Sequence, residues 1–344
     1  MRTIHADLLT AQNTTSNTPY IYLLFTSKDG LTTHDYSSDQ AGRRILSIDH
    51  QEEPYNDYAS IILRNNDRTI PNLKGYWTDI GYGYICAGDT ARYSQTARLW
   101  VKHQQDISAQ GKIVTLLELE GMWAKARELP MRRSGGKAPY YIEQFSTDTV
   151  YALMELVVET ELGWALDALA EDDGIMSSYR PSFDVNTQPF ESHGGILYRL
   201  ISMTKSYLRT KASLTMEVKY PQTTDSVDIT YYSNAAPYFY EYMERKNVLI
   251  PNHVYVFANL VDGLWVDGTS ILAEAKDQTE IDAYGDTPKL VVAGTITNQT
   301  DADNRAAAVL TRAEAEVMAG RMYAPHDCQV ELYDRLSVQD YRST

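Results

Sequence analysis

Cysteine is nearly absent: Cys86 and Cys328 are the only two in 344 residues. Two thiols so far apart exclude a disulfide framework and a metal knuckle, and predict buried free thiols in a chain folded in a reducing cytoplasm. Long apolar runs are missing too. The longest, residues 20–25, has six residues, against about 20 for a membrane-spanning helix. The start, Met1 to Asp7, lacks the apolar stretch of a Sec signal. Cations are few, 31 Lys+Arg against 46 Asp+Glu, and the net charge is −15. That excludes a nucleic-acid grip built on clustered Lys and Arg, yet it suits a surface past which DNA slides without sticking. Phe is scarce at 6, while Tyr reaches 26. A tyrosine buries its ring and keeps its hydroxyl wet, which fits half-buried strands and subunit contacts.

Signatures of catalysis are also lacking. The seven histidines (His5, His34, His50, His103, His193, His253 and His326) show no His-x-His or His-Glu-x-x-His spacing. There is no Gly-x-Ser-x-Gly elbow and no phosphate loop, and Gly81-Tyr-Gly83 lacks the third glycine of a dinucleotide fingerprint. No catalytic residue, cofactor ligand or metal ligand is assigned. Two carboxylate pairs, Glu118/Glu120 and Asp225/Asp228, have a spacing that glycoside hydrolysis would accept. Residues i and i+2 of a strand share a face. Glu118 and Glu120 project together, but away from Ile113, Leu117 and Leu119, as at a solvated strand end. Glu171-Asp-Asp173 departs from a calcium loop and reads as a helix terminus. One basic stretch, Arg199, Lys205, Arg209, Lys211 and Lys219, fits either a solvated face or a patch that docks an acidic neighbour. The sequons at Asn13 and Asn298 carry no meaning in a chain that is not secreted.

The length is a prior for two or three domains. Residues 1–44 read as an N-terminal arm with one short strand at 20–26. From residue 45 the pattern alternates with period two at 60–64, 96–102 and 112–120, with turns between, predicting a β-barrel-like unit over 45–125. The period then lengthens. Residues 126–212 read as a mixed, largely helical insertion, with one helix opened by Asp148 and another over 195–208. A second β-barrel-like region spans 213–344. It begins with a hairpin of 213–219 and 227–231, continues with strands at 252–258, 263–266 and 290–297, and ends with a strand at 328–339. Within it lies the best helix, 301–320, capped by Asp301 and closed by Gly320. Segments 73–80 and 332–338 echo each other faintly. The predicted class is therefore α+β, mostly antiparallel β, with two small β-barrel-like domains around a largely helical insertion.

The order of these segments carries a resemblance. Ala59-Ser-Ile-Ile-Leu-Arg-Asn-Asn-Asp, then Leu73-Lys-Gly, then the strand over 112–122 resembles the first β-barrel of tailed-phage tail-hub proteins, where a strand ending in Leu-x-Asn precedes a short loop and a Gly-led strand. The second half is similar to that family in Ile250-Pro-Asn-His-Val-Tyr-Val, in residues 273–285, in the Ala-rich helix with Arg312, and in the closing segment 330–338. The likeness covers about residues 45–342.

What the resemblance implies is a trimeric hub between a sixfold tail tube and a narrower tip or spike. Each subunit of such hubs carries two similar barrels, so three copies imitate sixfold symmetry. The expected protein is a structural component of a virion tail, assembled in the host cytoplasm, with no enzymatic activity and no cofactor. Its expected partners are copies of itself, a tail-tube or distal tail protein, a spike or tip protein, and a tape-measure protein or DNA passing through the lumen; no membrane is involved. Two alternatives follow in order: a receptor- or glycan-binding β protein at the tail tip using Trp77, Trp100 and Trp123, and a glycosidase using the carboxylates above.

Overall fold

A computed structural model describes residues 1–14, 16–131, 143–185, 191–222, 224–293 and 296–342. Helix α1 (Ala6–Gln12) is followed by eight strands: β1 (Thr18–Tyr22), β2 (Leu24–Thr26), β3 (Thr33–Asp35), β4 (Ile45–Glu53), β5 (Asn56–Arg64), β6 (Trp77–Cys86), β7 (Thr90–Ala109) and β8 (Lys112–Glu120). They form one antiparallel sheet in the order β3-β2-β6-β7-β8-β5-β4, with β1 also on β6. The alternation read in the sequence is the cause of this sheet. Ala59, Ile61 and Leu63 of β5 point inward beside Leu99 and Val101 of β7 and Leu117 and Leu119 of β8, because burying one row of a pleated strand fixes its register. Between β7 and β8, Gln110 and Gly111 both take left-handed φ, 54° and 74°, the backbone that a tight two-residue hairpin requires. Gly83 answers a different need: a Cβ there would lie 1.8 Å from the Arg92 carbonyl oxygen.

Residues 1–44 are more than an arm, since β1 to β3 are built into this sheet. The sheet does not close into a barrel. Its order has two ends, the three-residue β3 and the edge strand β4, whose Asp49–Glu53 half is polar or charged and so discourages further pairing. β7 is 20 residues long and serves two partners, β6 along its first half and β8 along its second. A register shift at Val101/His103 bends it between them.

The other face of β7 carries the second core. Ala97 and the half-buried Trp100 meet Trp123 of helix Met122–Glu128, Met154 and Val157 of the helical stretch 150–161, and Leu197 and Leu200 of helix His193–Ile201. Thr149, rather than Asp148, caps the helix at Val150, accepting the Ala152 N–H at 3.2 Å. The helix expected over 195–208 starts at His193 and stops at Ile201. Thr204 donates its hydroxyl to the Ile201 carbonyl and accepts the Ser206 N–H, and such local bonds compete with the helix. Tyr207–Lys211 is then a strand.

The expected hairpin of 213–219 with 227–231 does not form. Thr215–Lys219 pairs antiparallel with Tyr207–Lys211 and parallel with Ala165–Leu166, while Ile229–Tyr232 pairs parallel with Leu336–Gln339. Only that last piece of 328–339 is strand, and at 263–266 there is only an isolated bridge, Val261 to Leu264. The echoing segments 73–80 and 332–338 lie in unlike sheets, one antiparallel and one parallel. A third core lies under the three-stranded sheet of Ile271–Lys276, His253–Ala258 and Pro288–Ala293. Helix Gln299–Val317 covers it, packing Ala302, Ala306, Leu310 and Ala313 on Val254, Val256 and Ala273. This helix begins earlier than predicted, because Asn298 accepts the Asp301 N–H at 2.9 Å. At Met318 it gives way to strand Met318–Tyr323, which contains Gly320. Residues 294 and 295 of the strand predicted over 290–297, and 132–142 within the insertion, lie outside the described residues.

Candidate functional site

The carboxylates singled out in the sequence hold backbone together. Asp225 accepts the Gln222 N–H at 2.7 Å and Asp228 accepts the Arg335 N–H at 2.8 Å. Asp173 accepts three N–H groups, from Ile175, Met176 and Lys205, and Asp172 accepts that of Gly174. Glu171 is bound to Lys219 and to the Tyr220 N–H. Glu118 and Glu120 do share a face, in a shallow cleft of about 580 Å³ beside Lys102 and His103. Glu118 is exposed and Glu120 pairs with Lys102 at 3.7 Å.

Four of the five cations of the basic stretch are paired with carboxylates. Arg199 pairs with Glu191, Lys211 with Asp167 at 2.7 Å, and Lys219 with Glu171. Arg209 is buried. Its guanidinium reaches Glu217 at 2.6 Å, Asp334 at 3.0 Å and Glu331 at 3.4 Å. Glu331 in turn faces Arg2 at 3.1 Å, and Arg2 reaches Glu52 of β4 at 3.2 Å. The network thus joins the N-terminal segment, the large sheet, the 207–219 strands and the C-terminal segment. Such a junction sets register between parts of the chain, since breaking one partner leaves buried charge uncompensated.

Beside it sits a residue the sequence reading passed over. Asp57 is 1% exposed; its Oδ2 accepts the Thr210 hydroxyl at 2.8 Å, and its Oδ1 is buried without a partner. Burial pushes its carboxyl up to about 7, against the Thr210 hydrogen bond and with a further push from Glu52. The signal was present. Asp57 falls on the inward row of β5 with Ala59, Ile61 and Leu63.

Trp123 is 1% exposed and meets Tyr55 edge-on, so it offers no platform for a sugar. Trp77 lies under the Arg98 guanidinium at 3.5 Å, and Trp100 stacks on Trp164. Cys86 and Cys328 are free and buried, and burial raises both thiols, Cys328 to about 12. Histidines are held singly: His193 by the Leu129 carbonyl, His50 by the Tyr82 hydroxyl, His253 between Asp286 and Glu274. Among the described residues no group of three or more His, Cys, Asp or Glu is placed to hold a metal, and no helix is long and apolar enough to cross a membrane.

A second cleft, about 750 Å³, is walled by Tyr55, Tyr207 and Tyr333 and by Glu314 and Glu316 of the long helix. Tyr207 and Tyr333 stack at 4.7 Å, and Arg312 donates to the Tyr55 hydroxyl at 2.7 Å. Other tyrosines face outward, with Tyr240 69% and Tyr284 62% exposed. The tyrosine surplus is therefore divided between internal seams and open surface.

The backbone is similar to that of the tail protein from Neisseria meningitidis MC58, with a TM-score of 0.59 and 11% identity over 95% of this chain and 88% of that one. The two chains share a fold. A second likeness, to the 43 kDa tail protein of prophage MuSo2 from Shewanella oneidensis, has a TM-score of 0.54 and 13% identity over 84% of this chain and 77% of that one. The phage-tail resemblance read in the sequence over residues 45–342 thus has a counterpart in three dimensions, and the α+β, mostly antiparallel class holds with it. No protein-family model and no curated protein matches this sequence.

Proposed function

We propose that this chain is a structural hub protein of a phage or phage-like tail. Copies of it form a ring, a trimer, that joins the tail tube to the tail tip and leaves an axial passage for DNA. The observation that carries this reading is the backbone shared with a tail protein along 95% of the chain. Charge supports it: a net −15 repels a passing polyanion and keeps a lumen from gripping it. Surface supports it as well, since aromatic residues are what subunit contacts enrich. On this reading the polypeptide acts mechanically and makes no bonds. Its neighbours are a tube or distal tail protein, a tip or spike protein, and a tape-measure protein or DNA in transit. It resides in the virion tail after assembly in the host cytoplasm.

Sedimentation velocity and negative-stain imaging of the purified chain test this. Trimeric rings with a central hole are expected as concentration rises. A monomer at every concentration, alone and with the tube protein, refutes the reading.

A further inference from the structure

The long helix carries two arginines that no carboxylate among the described residues neutralises. Arg305 and Arg312 lie seven residues apart on Gln299–Val317, nearly two turns, so they share one stripe. Ala308 between them is 0% exposed, which turns that stripe toward the interior. Both arginines are half-buried, and Arg305 Nη1 and Arg312 Nε are buried without a hydrogen-bond partner. Among the described residues Arg305 makes no hydrogen bond, and neither arginine enters an ion pair. Arg312 is fixed by neutral groups. It donates to the Tyr55 hydroxyl at 2.7 Å and to the Ser206 carbonyl at 2.8 Å, with its guanidinium 4.7 Å from the Tyr207 ring centre. Tyr198 meets Tyr55 edge-on at 5.3 Å and, with Tyr179, faces Arg305. A third arginine, Arg127, donates to the Tyr55 carbonyl at 2.6 Å.

The carboxylates around this seam are engaged elsewhere or stand apart. Asp301, one turn before Arg305, accepts from Asn298, and Asp303 accepts from Gln299 at 2.8 Å. Asp57 accepts from Thr210, and Glu191 pairs with Arg199. Glu314 and Glu316 are exposed at the second cleft, and neither forms an ion pair with Arg312 or Arg305. The residues outside the described ones include no Asp or Glu. Arginine cannot shed its proton on burial as a lysine does. Burial first, and then the Arg312 charge, push the Arg305 guanidinium below its ordinary value. A buried charge without a counter-charge is strongly unfavourable, and guanidinium groups fit phosphate oxygens in pairs.

We infer that this seam binds a phosphate group between Arg305 and Arg312. Two unpaired cations call for a dianion, and a monocarboxylate would leave one of them unanswered. A phosphate carries about −1.5 to −2 at pH 7 and several acceptor oxygens, enough to serve the free N–H groups of both arginines. The site lies within one chain and does not depend on the ring reading. Free inorganic phosphate and the terminal phosphate of a nucleotide present the same chemistry.

Isothermal titration of the folded chain with sodium phosphate in chloride buffer tests this. Saturable binding of one phosphate per chain is expected, and Arg305→Met is expected to weaken it at least tenfold. Urea unfolding gives a second readout. At ten times its Kd, phosphate is expected to raise the wild-type folding constant about tenfold over chloride of equal ionic strength, and to leave Arg305→Met unmoved. In chloride alone the variant is expected to unfold at a midpoint no lower than wild type, because it removes an uncompensated charge. Adenosine monophosphate beside adenosine separates the sources: binding of the monophosphate alone assigns a nucleotide's terminal phosphate, and exclusion of both assigns the free ion. A wild type without saturable phosphate binding overturns the site, as does phosphate binding that Arg305→Met leaves intact. A variant midpoint well below wild type in chloride means that packing alone holds Arg305, and it overturns the inference too.

Discussion

Replacing Asp57 by asparagine is expected to stabilise the protein, and by more as pH rises. The carboxyl is 1% exposed, accepts the Thr210 hydroxyl, and among the described residues enters no ion pair. Burial raises it from 3.8 to about 7 in the folded chain. Between those values the folded protein holds a proton that the unfolded chain has released, so stability falls as pH rises. Below 3.8 both states are protonated and the effect is absent; above 7 both are ionised and the penalty is complete. Three units at about 1.4 kcal/mol each make the full penalty ~4 kcal/mol. Between pH 5 and pH 8 the part that develops is about 2–3 kcal/mol. Asparagine keeps an acceptor for Thr210 and has no charge to bury. Urea unfolding of both proteins at several pH values, followed by tryptophan fluorescence, reads the difference. A gap between them that does not widen from pH 5 to pH 8 refutes the reasoning.

Arg209→Met is expected to destabilise by ~3–5 kcal/mol, since it leaves Glu217, Glu331 and Asp334 without their shared cation. A urea midpoint within error of wild type counts against the network as a junction. Cys86 and Cys328, both buried with raised thiols, are expected to resist a thiol reagent in the native protein and to react once it unfolds. Prompt labelling of either in native buffer contradicts their placement. Glu118→Gln with Glu120→Gln is expected to change stability by no more than ~0.5 kcal/mol, as for other exposed charges. Loss of a glycan-hydrolysing activity in that variant would restore the carboxylates as a site.

Strand β8 was legible as it stands, and the 60–64 part of β5, because Ile61-x-Leu63 and Leu117-x-Leu119 each advertise one buried face; the first residues of β5, Asn56 to Ala59, were missed. The Ala-rich helix was legible for the same kind of reason, its small residues repeating at helical spacing along 302–313. Glu171-Asp-Asp173, expected to end a helix, ends none, since the helical stretch stops at Glu161; Asp173 instead holds a turn by accepting the Ile175 and Met176 N–H groups. The ion pairs of the basic stretch 199–219 were not readable, because the partners Asp167, Glu171, Glu331 and Asp334 come from other segments.

Local pattern therefore determined the strongly periodic elements, such as β8 and the long helix, how acidic the chain is, and that the two thiols are free. Tertiary structure alone decided which strand meets which. Residues 229–232 have the alternation of a hairpin arm, yet their partner is 336–339, more than a hundred positions away. Alternation reports that a face is buried, which is a property of the strand itself. The identity of the neighbour depends on what the rest of the chain leaves unpaired once its cores have packed. The same rule placed an aspartate, Asp57, on an inward row.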